Sequence, residues 1–231
     1  MSATYGLVIF DCDGVLVDSE RIANREFAAL LREIGLDFTM PQMFETFVGN
    51  SMPRCLEIIA ERLGYAPPDD LLDRYAARVA SVLPAELTAV PGAIALLDAL
   101  DDAGVPYCVA SNGEHPLMRV KLHSAGLLQR FEGRRFSSAD VARPKPAQDL
   151  FLFAAQSMRV AADRCVVVED SPFGIAGARA AGMQVFGYAD VIPEDRLLAA
   201  GATSVVRHLD ELAPMLGVAR RAPVPSNGRR D

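Results

Sequence analysis

Four short segments hold side chains that could do chemistry on an anion. The first, Asp11-Cys12-Asp13-Gly14-Val15-Leu16-Val17-Asp18, sets two carboxylates two residues apart directly after an apolar run. At the carboxyl end of a strand, such a pair can share a cation and still divide the work, one oxygen attacking and the other acid moving protons. An Asp-Gly turn explains the same residues without chemistry. A calcium loop does not, because Leu16 stands where that loop needs Gly and Ile22 where it needs an acid. The second segment is Val109-Ala110-Ser111-Asn112-Gly113. Its hydroxyl and following amides suit an anion at a helix start, and they equally suit an ordinary helix cap. The third, Arg143-Pro144-Lys145-Pro146, holds an ammonium between two rings that fix the backbone locally, or else is a plain surface loop. The fourth, Val166-Val167-Val168-Glu169-Asp170-Ser171, ends in adjacent acids, which a hard cation wants and which helix capping also uses.

These segments need elements to bring them together. Residues 5–10, 106–110 and 165–168 are continuous apolar runs, and 184–187 and 203–206 are weaker ones. Apolar strands alternating with helices predict a parallel sheet covered on both faces, an α/β fold of Rossmann-like type. Helices are predicted at 93–103, at 146–158 and at 172–181, the last with Ser171 as N-cap and Pro172 in the first helical position. Each chemical segment falls where a strand should end, so all four can meet at one edge of the sheet.

Residues 19–89 break the rhythm. Three amphipathic helices are predicted there, one capped by Ser19, and no strand. About 70 residues is too long for an ordinary connection. The expected organisation is therefore a core of residues 1–18 and 90–219, a helical cap of 19–89 joined through Val17–Asp18 and Val90–Pro91, and a basic, proline-containing tail of 220–231.

Composition narrows the function classes. The chain has 231 residues, 51% hydrophobic, which is enough for one sizeable core with an insert. A net charge of −7 argues against a nucleic-acid partner, and no apolar run could span a membrane. Four dispersed Cys without a paired spacing suit reduced thiols, so a cytoplasmic protein is expected and zinc is not. The first strand lacks the glycine pattern of a dinucleotide site.

The FDCDGVLVDSE, VASN, KP and VVVEDSPFGIAGARAAGM segments resemble, in order and spacing, the four motifs of the haloacid dehalogenase superfamily, in the branch of β-phosphoglucomutase and many sugar-phosphate phosphatases. The resemblance covers nearly the whole chain. It implies Asp11 as nucleophile, Asp13 as general acid and base, and Lys145 as partner of Asp11 and of the phosphoryl group. It implies Mg2+ on Asp11, the backbone carbonyl of Asp13 and Asp170, with Glu169 nearby, and Ser111 and Asn112 on the phosphoryl oxygens. From the cap it implies substrate contacts near Gly49, Asn50 and Arg54, and a monomer whose cap moves freely.

Within that family, Asp13 argues against dehalogenation, which needs no acid there. A cap without Lys excludes the Schiff-base route of phosphonatases. A mutase would carry His where Ala23 stands, so a phosphatase is expected, with a small phosphorylated metabolite such as 6-phosphogluconate as substrate. Arg21, Arg25 and Arg54 are the cap cations that could meet an anionic substrate. A phosphate-binding module without turnover is the alternative from another class, and the retained acids speak against it.

Overall fold

The computed structural model describes residues 5–48, 50 and 52–218. Gly49 and the tail beyond 218 lie outside the described residues. Six parallel strands, β1 (Leu7–Phe10), β2 (Tyr107–Ser111), β3 (Arg135–Ser137), β4 (Cys165–Glu169), β5 (Gln184–Tyr188) and β6 (Ser204–Val206), form one sheet in the order β3-β2-β1-β4-β5-β6. The order reverses beside β1, where β4 returns to its free side, and that reversal opens a crevice at the carboxyl ends of β1, β2 and β4.

Alternation along the strands explains why the runs look apolar throughout. Val8, Phe10, Tyr107, Val109, Val166 and Val168 enter the core on one face of the sheet. Leu7, Ile9, Cys108, Ala110, Cys165 and Val167 enter the core on the other. Helices cover both faces: α5 (Ala93–Asp102), α6 (His115–Ser124), α7 (Asp149–Ser157), α8 (Pro172–Ala180), α9 (Glu194–Ala199) and α10 (Leu212–Met215).

Between β1 and α5 the chain forms α1 (Ser19–Glu33), α2 (Met40–Phe47), α3 (Met52–Leu63) and α4 (Leu71–Glu86), with no sheet strand among the described residues. Ten buried residues from Phe27 to Leu71, with Met43, Phe47 and Ile59 among them, make a separate apolar cluster. Leu83 and Leu87 leave that cluster and pack into the sheet's core, so the end of α4 is anchored on the body. The two links to the insert are bonded to each other: Asp18 donates its N–H to Thr88 at 3.0 Å and Val90 donates to Leu16 at 3.0 Å.

Several expectations shift. α2 is a fourth helix where three were expected; it starts at a capping box of Thr39 and Gln42 with Pro41 in its first turn. Ser19 does not cap α1. Asp18 holds that position without a side-chain cap, and the Ser19 hydroxyl donates to Asp13 instead. α7 begins at Asp149 rather than 146, because Pro144 and Ala147 close a turn first, with a 2.9 Å bond. β3 was not foreseen.

Candidate functional site

Asp11 is the first residue past β1, its N–H bonded to Val168 of β4 at 3.0 Å. Val168 is the register partner of Phe10, so the end of β4 brings Glu169 level with Asp11. Lys145 arrives from the loop before α7. Its Nζ donates to Asp11 Oδ1 and to Glu169 Oε1, at 2.7 Å each, and it lies 4.9 Å from the Phe151 ring centroid. All three residues are buried. Asn112 explains how the Lys loop is held: its side-chain oxygen accepts from the Lys145 N–H at 2.9 Å, and its amide donates to the Lys145 carbonyl at 3.1 Å. The Asn112 side chain therefore clamps the main chain of Lys145, a positioning role that its segment did not suggest.

Glu169 has both oxygens committed. Its Oε2 accepts from the Ser171 N–H at 2.9 Å and the Ser171 hydroxyl at 3.0 Å. Ser171 in turn caps α8, accepting from the Gly174 N–H at 3.0 Å as expected. Two glycines keep this space open. A Cβ on Gly174 would overlap the Glu169 carboxylate, and one on Gly14 would overlap that of Asp170; Gly14 also has φ +73°, which only glycine takes readily. Ser111 is buried, and its hydroxyl accepts from the Gly113 N–H at 3.0 Å.

Asp13 lines the same cavity as Asp11 and is held from two other elements. Its Oδ1 takes hydrogen bonds from Ser19 of α1 and Lys121 of α6. It is not one of the three acids, Asp11, Glu169 and Asp170, whose oxygens lie within 4.8 Å of one another. The backbone carbonyl is the only part of Asp13 that the resemblance assigns to a cation.

Charge is the dominant fact at this site. Asp11, Asp13, Glu20, Glu169 and Asp170 line one cavity of about 240 Å³, with Lys145 as the only cation among its described lining residues. Burial pushes the Asp11 carboxyl up to about 7, with Glu169 and Asp13 adding to the rise and Lys145 opposing it. Burial, then Glu169 and Asp11, hold Asp170 well above the usual carboxylate range. Burial alone would favour the neutral amine of Lys145, but Asp11 and Glu169 outweigh it and keep it charged. Three carboxylates around one ammonium make a set of hard oxygen donors short of positive charge, and this fits Mg2+. Asp11 and Asp170 would hold the ion, and Glu169, already committed to Lys145 and Ser171, would stand behind.

All four chemical segments contribute to this cavity, together with Val48 of the insert, Phe173, Val191 and Ile192. A second cavity of about 260 Å³ shares Glu20 and Val48 with it and is lined by the insert, Ala23 and Asn50 included. A larger concavity of about 600 Å³ runs along residues 189–195 and Arg207 but holds none of the four segments' residues.

The expected cap cations are not gathered here. Arg21 pairs with Asp190 at 2.6 Å and Arg25 with Glu86 at 2.7 Å. Arg54 pairs with Glu57 at 2.8 Å and Glu61 at 3.3 Å. None of the three lines either cavity. Asn50 does line the second cavity, with its side-chain amide donating to Thr46 at 2.9 Å.

Two residues escaped sequence reasoning. Glu20 stands two residues past Asp18, inside the first motif, and burial followed by repulsion from Asp13 pushes its carboxyl up to about 7. Its place in the DSE run was the available signal. Lys121 had none, since 108 residues separate it from the Asp13 it contacts.

Comparison with known proteins gives the family. The haloacid dehalogenase-like hydrolase family profile matches residues 5–182. The chain is 34% identical to the 6-phosphogluconate phosphatase of Escherichia coli K12, over 92% of this chain and 95% of that one. It is 33% identical to Hexitol phosphatase A of the same organism, over 77% and 80%. A solved HAD family hydrolase from Deinococcus radiodurans R1, with bound phosphate and sodium, superposes with a TM-score of 0.84 at 33% identity, over 96% of this chain and all of that one. With its parallel sheet, its strand-end acids and its buried Lys, the chain belongs to the haloacid dehalogenase-like hydrolases, as one of that family's phosphatases.

Proposed function

We propose that this protein is a magnesium-dependent phosphatase of small sugar phosphates, acting in the cytoplasm as a monomer through an aspartyl-phosphate on Asp11. The observation that carries the reading is the buried Asp11–Lys145–Glu169 arrangement beside Asp170, at the point where the sheet order reverses.

In this reading an Asp11 oxygen attacks phosphorus and the ester P–O bond breaks. Asp13 gives its proton to the departing alkoxide, then takes one from the water that attacks the phosphoryl-aspartate, which frees Asp11 and inorganic phosphate. Lys145 fixes the Asp11 rotamer and offsets charge on the phosphoryl oxygens, and Ser111 with the amides after it receives those oxygens. Magnesium on Asp11, Asp170 and the Asp13 carbonyl would supply the charge that lets carboxylate and phosphate approach. Residues 19–89 act as a cap over this edge, hinged at the paired links near Val17 and Val90, and exclude water from the first step. Arg196 of the body donates to the Val48 carbonyl at 3.1 Å, a contact that such closure would make. A mutase reading has less support, because Ala23 puts only a methyl group into the second cavity.

The test is phosphate release from a sugar-phosphate panel with magnesium, with EDTA and with Asp11→Asn. Release that needs the metal and falls by about 10³-fold or more in Asp11→Asn supports the reading. Isomerised glucose phosphate without free phosphate would replace it with the mutase.

A further inference from the structure

The loop Ser111-Asn112-Gly113 forms part of the wall of the first cavity, and Glu114 then leads into α6 without a side-chain cap. The loop is held instead by the turn that follows β3. Ser137 ends β3 in register with Ser111 and is fully buried. Its hydroxyl donates to the Gly113 carbonyl at 2.8 Å, and the Ser138 hydroxyl donates to the Asn112 carbonyl at 2.8 Å. Further along the turn, Asp140 meets His115, the first residue of α6, at 2.9 Å. The turn is also braced within itself. Asp140 accepts from the Ser137 N–H at 2.8 Å, and the Ser137 hydroxyl accepts from the Ala139 N–H at 3.2 Å.

A trans peptide is planar, with its C=O and N–H pointing opposite ways. Holding the Asn112 and Gly113 carbonyls against this turn therefore aims the N–H groups of Gly113 and Glu114 away from it. It also keeps two carbonyl dipoles from swinging toward a bound anion, which they would repel. The same loop carries the Asn112 side chain, which clamps the main chain of Lys145, and Lys145 is bonded to Asp11 and Glu169. One turn thus stands behind both the loop amides and the ammonium.

We propose that Ser137 and Ser138 are positioning residues for phosphoryl recognition: their hydroxyls fix the peptide planes of residues 112–114 and, through Asn112, the Lys145 loop. Neither residue lines the cavity, so each acts through the loop. The proposal rests on the phosphatase reading and adds the element that preorganises its site.

The experiment uses the full chain with magnesium, as the parent, Ser137→Ala, Ser138→Ala and Ser138→Thr. It measures the affinity for inorganic phosphate by calorimetry, kcat/KM on p-nitrophenyl phosphate and on glucose 6-phosphate, and the rise in Tm on adding magnesium. Each Ala variant should bind phosphate roughly fivefold more weakly, the scale of one lost hydrogen bond, and lose at least that factor in kcat/KM. The loss should be equal on the two esters, because the loop serves the phosphoryl group that they share. The magnesium response should remain, and Ser138→Thr, which keeps the hydroxyl, should match the parent. Parental affinity and rates in both Ala variants overturn the proposal. So does a Ser138→Thr as impaired as Ser138→Ala, or a magnesium response lost together with the affinity, since either would mark a general loss of packing. If Ser137→Ala does not fold, Ser138→Ala, at the half-buried position, decides by the same criteria. A parent that binds phosphate and turns over neither ester removes the phosphatase reading alone, and the variants' phosphate affinities still decide the positioning role. A parent that neither binds phosphate nor hydrolyses either ester removes both.

Discussion

At the scale of single residues, this site is held by groups that answer one another's charges. Lys145 is bonded to two buried carboxylates, and its backbone is clamped by Asn112. Removing the ammonium leaves Asp11 and Glu169 buried without their partner. Lys145→Met is expected to lower stability by about 3 kcal/mol and turnover by at least 10²-fold, by about the usual cost of breaking a buried pair on one side. Denaturant melts and initial rates check both, and a variant of parental stability would show that the pair does not hold the site. Glu20 gives a pH signature. Its folded pKa is raised from 4.5 to about 7, so the fold prefers the neutral acid. The stability this carries is complete below pH 4.5 and is lost as pH rises through about 7. Glu20→Gln mimics the neutral form. In EDTA its stability relative to the parent should rise between pH 5 and pH 8 by on the order of 2 kcal/mol, and a difference flat in pH would refute the assignment.

The elements matter here for where they end. β1, β2 and β4 deliver Asp11, Ser111 and Glu169 to the same edge, and α8 starts at once behind Glu169, so that Ser171 serves as both helix cap and carboxylate donor. Gly174, in the first turn of α8, tests how close this packing is. By helix propensity alone, Gly→Ala inside a helix should gain up to about 1 kcal/mol. Here the added methyl overlaps the Glu169 carboxylate, so the contact wins over propensity. Gly174→Ala is expected to be less stable than the parent and to lose about tenfold or more in rate, because Glu169 can no longer anchor Lys145. A stabilised, fully active Gly174→Ala would mean that Glu169 has room to move.

For the whole molecule, the sheet edge concentrates five carboxyl groups against Lys145 in one cavity, with Lys121 bonded to Asp13 from behind. A folded state so arranged gains from a bound cation that the unfolded chain cannot hold as well. Saturating Mg2+, at about a hundred times its dissociation constant, should contribute about 2.7 kcal/mol and raise Tm by roughly 5 °C or more for a chain of this size. Asp170→Asn should abolish that increase while the protein still melts cooperatively. A magnesium-independent Tm in the parent would remove the ion from the site.

How much of this was legible in the sequence follows from the range of each interaction. The fold class, the helical nature of residues 19–89 and the meeting of four motifs at strand ends all rest on local signals: apolar runs, turn residues, and acids placed just past a strand. They hold because a parallel strand buried on both faces must look apolar and must end somewhere. β3 was missed because only Phe136 in its three residues is apolar, and it is a strand only through pairing with β2. The capping box and Pro41 did mark α2, but an eight-residue helix has little periodicity to show. What the tertiary structure alone decided is partnership. The distance along the chain from Asn112 to Lys145, or from Lys121 to Asp13, leaves no trace in spacing. Arg21, Arg25 and Arg54 look available for an anion until the fold shows each one paired with an acid. The sequence by itself determined the chemistry that the strand ends could perform; the three-dimensional arrangement decided which charges face one another, because electrostatic pairing depends on distance in space and burial, neither of which a linear pattern contains.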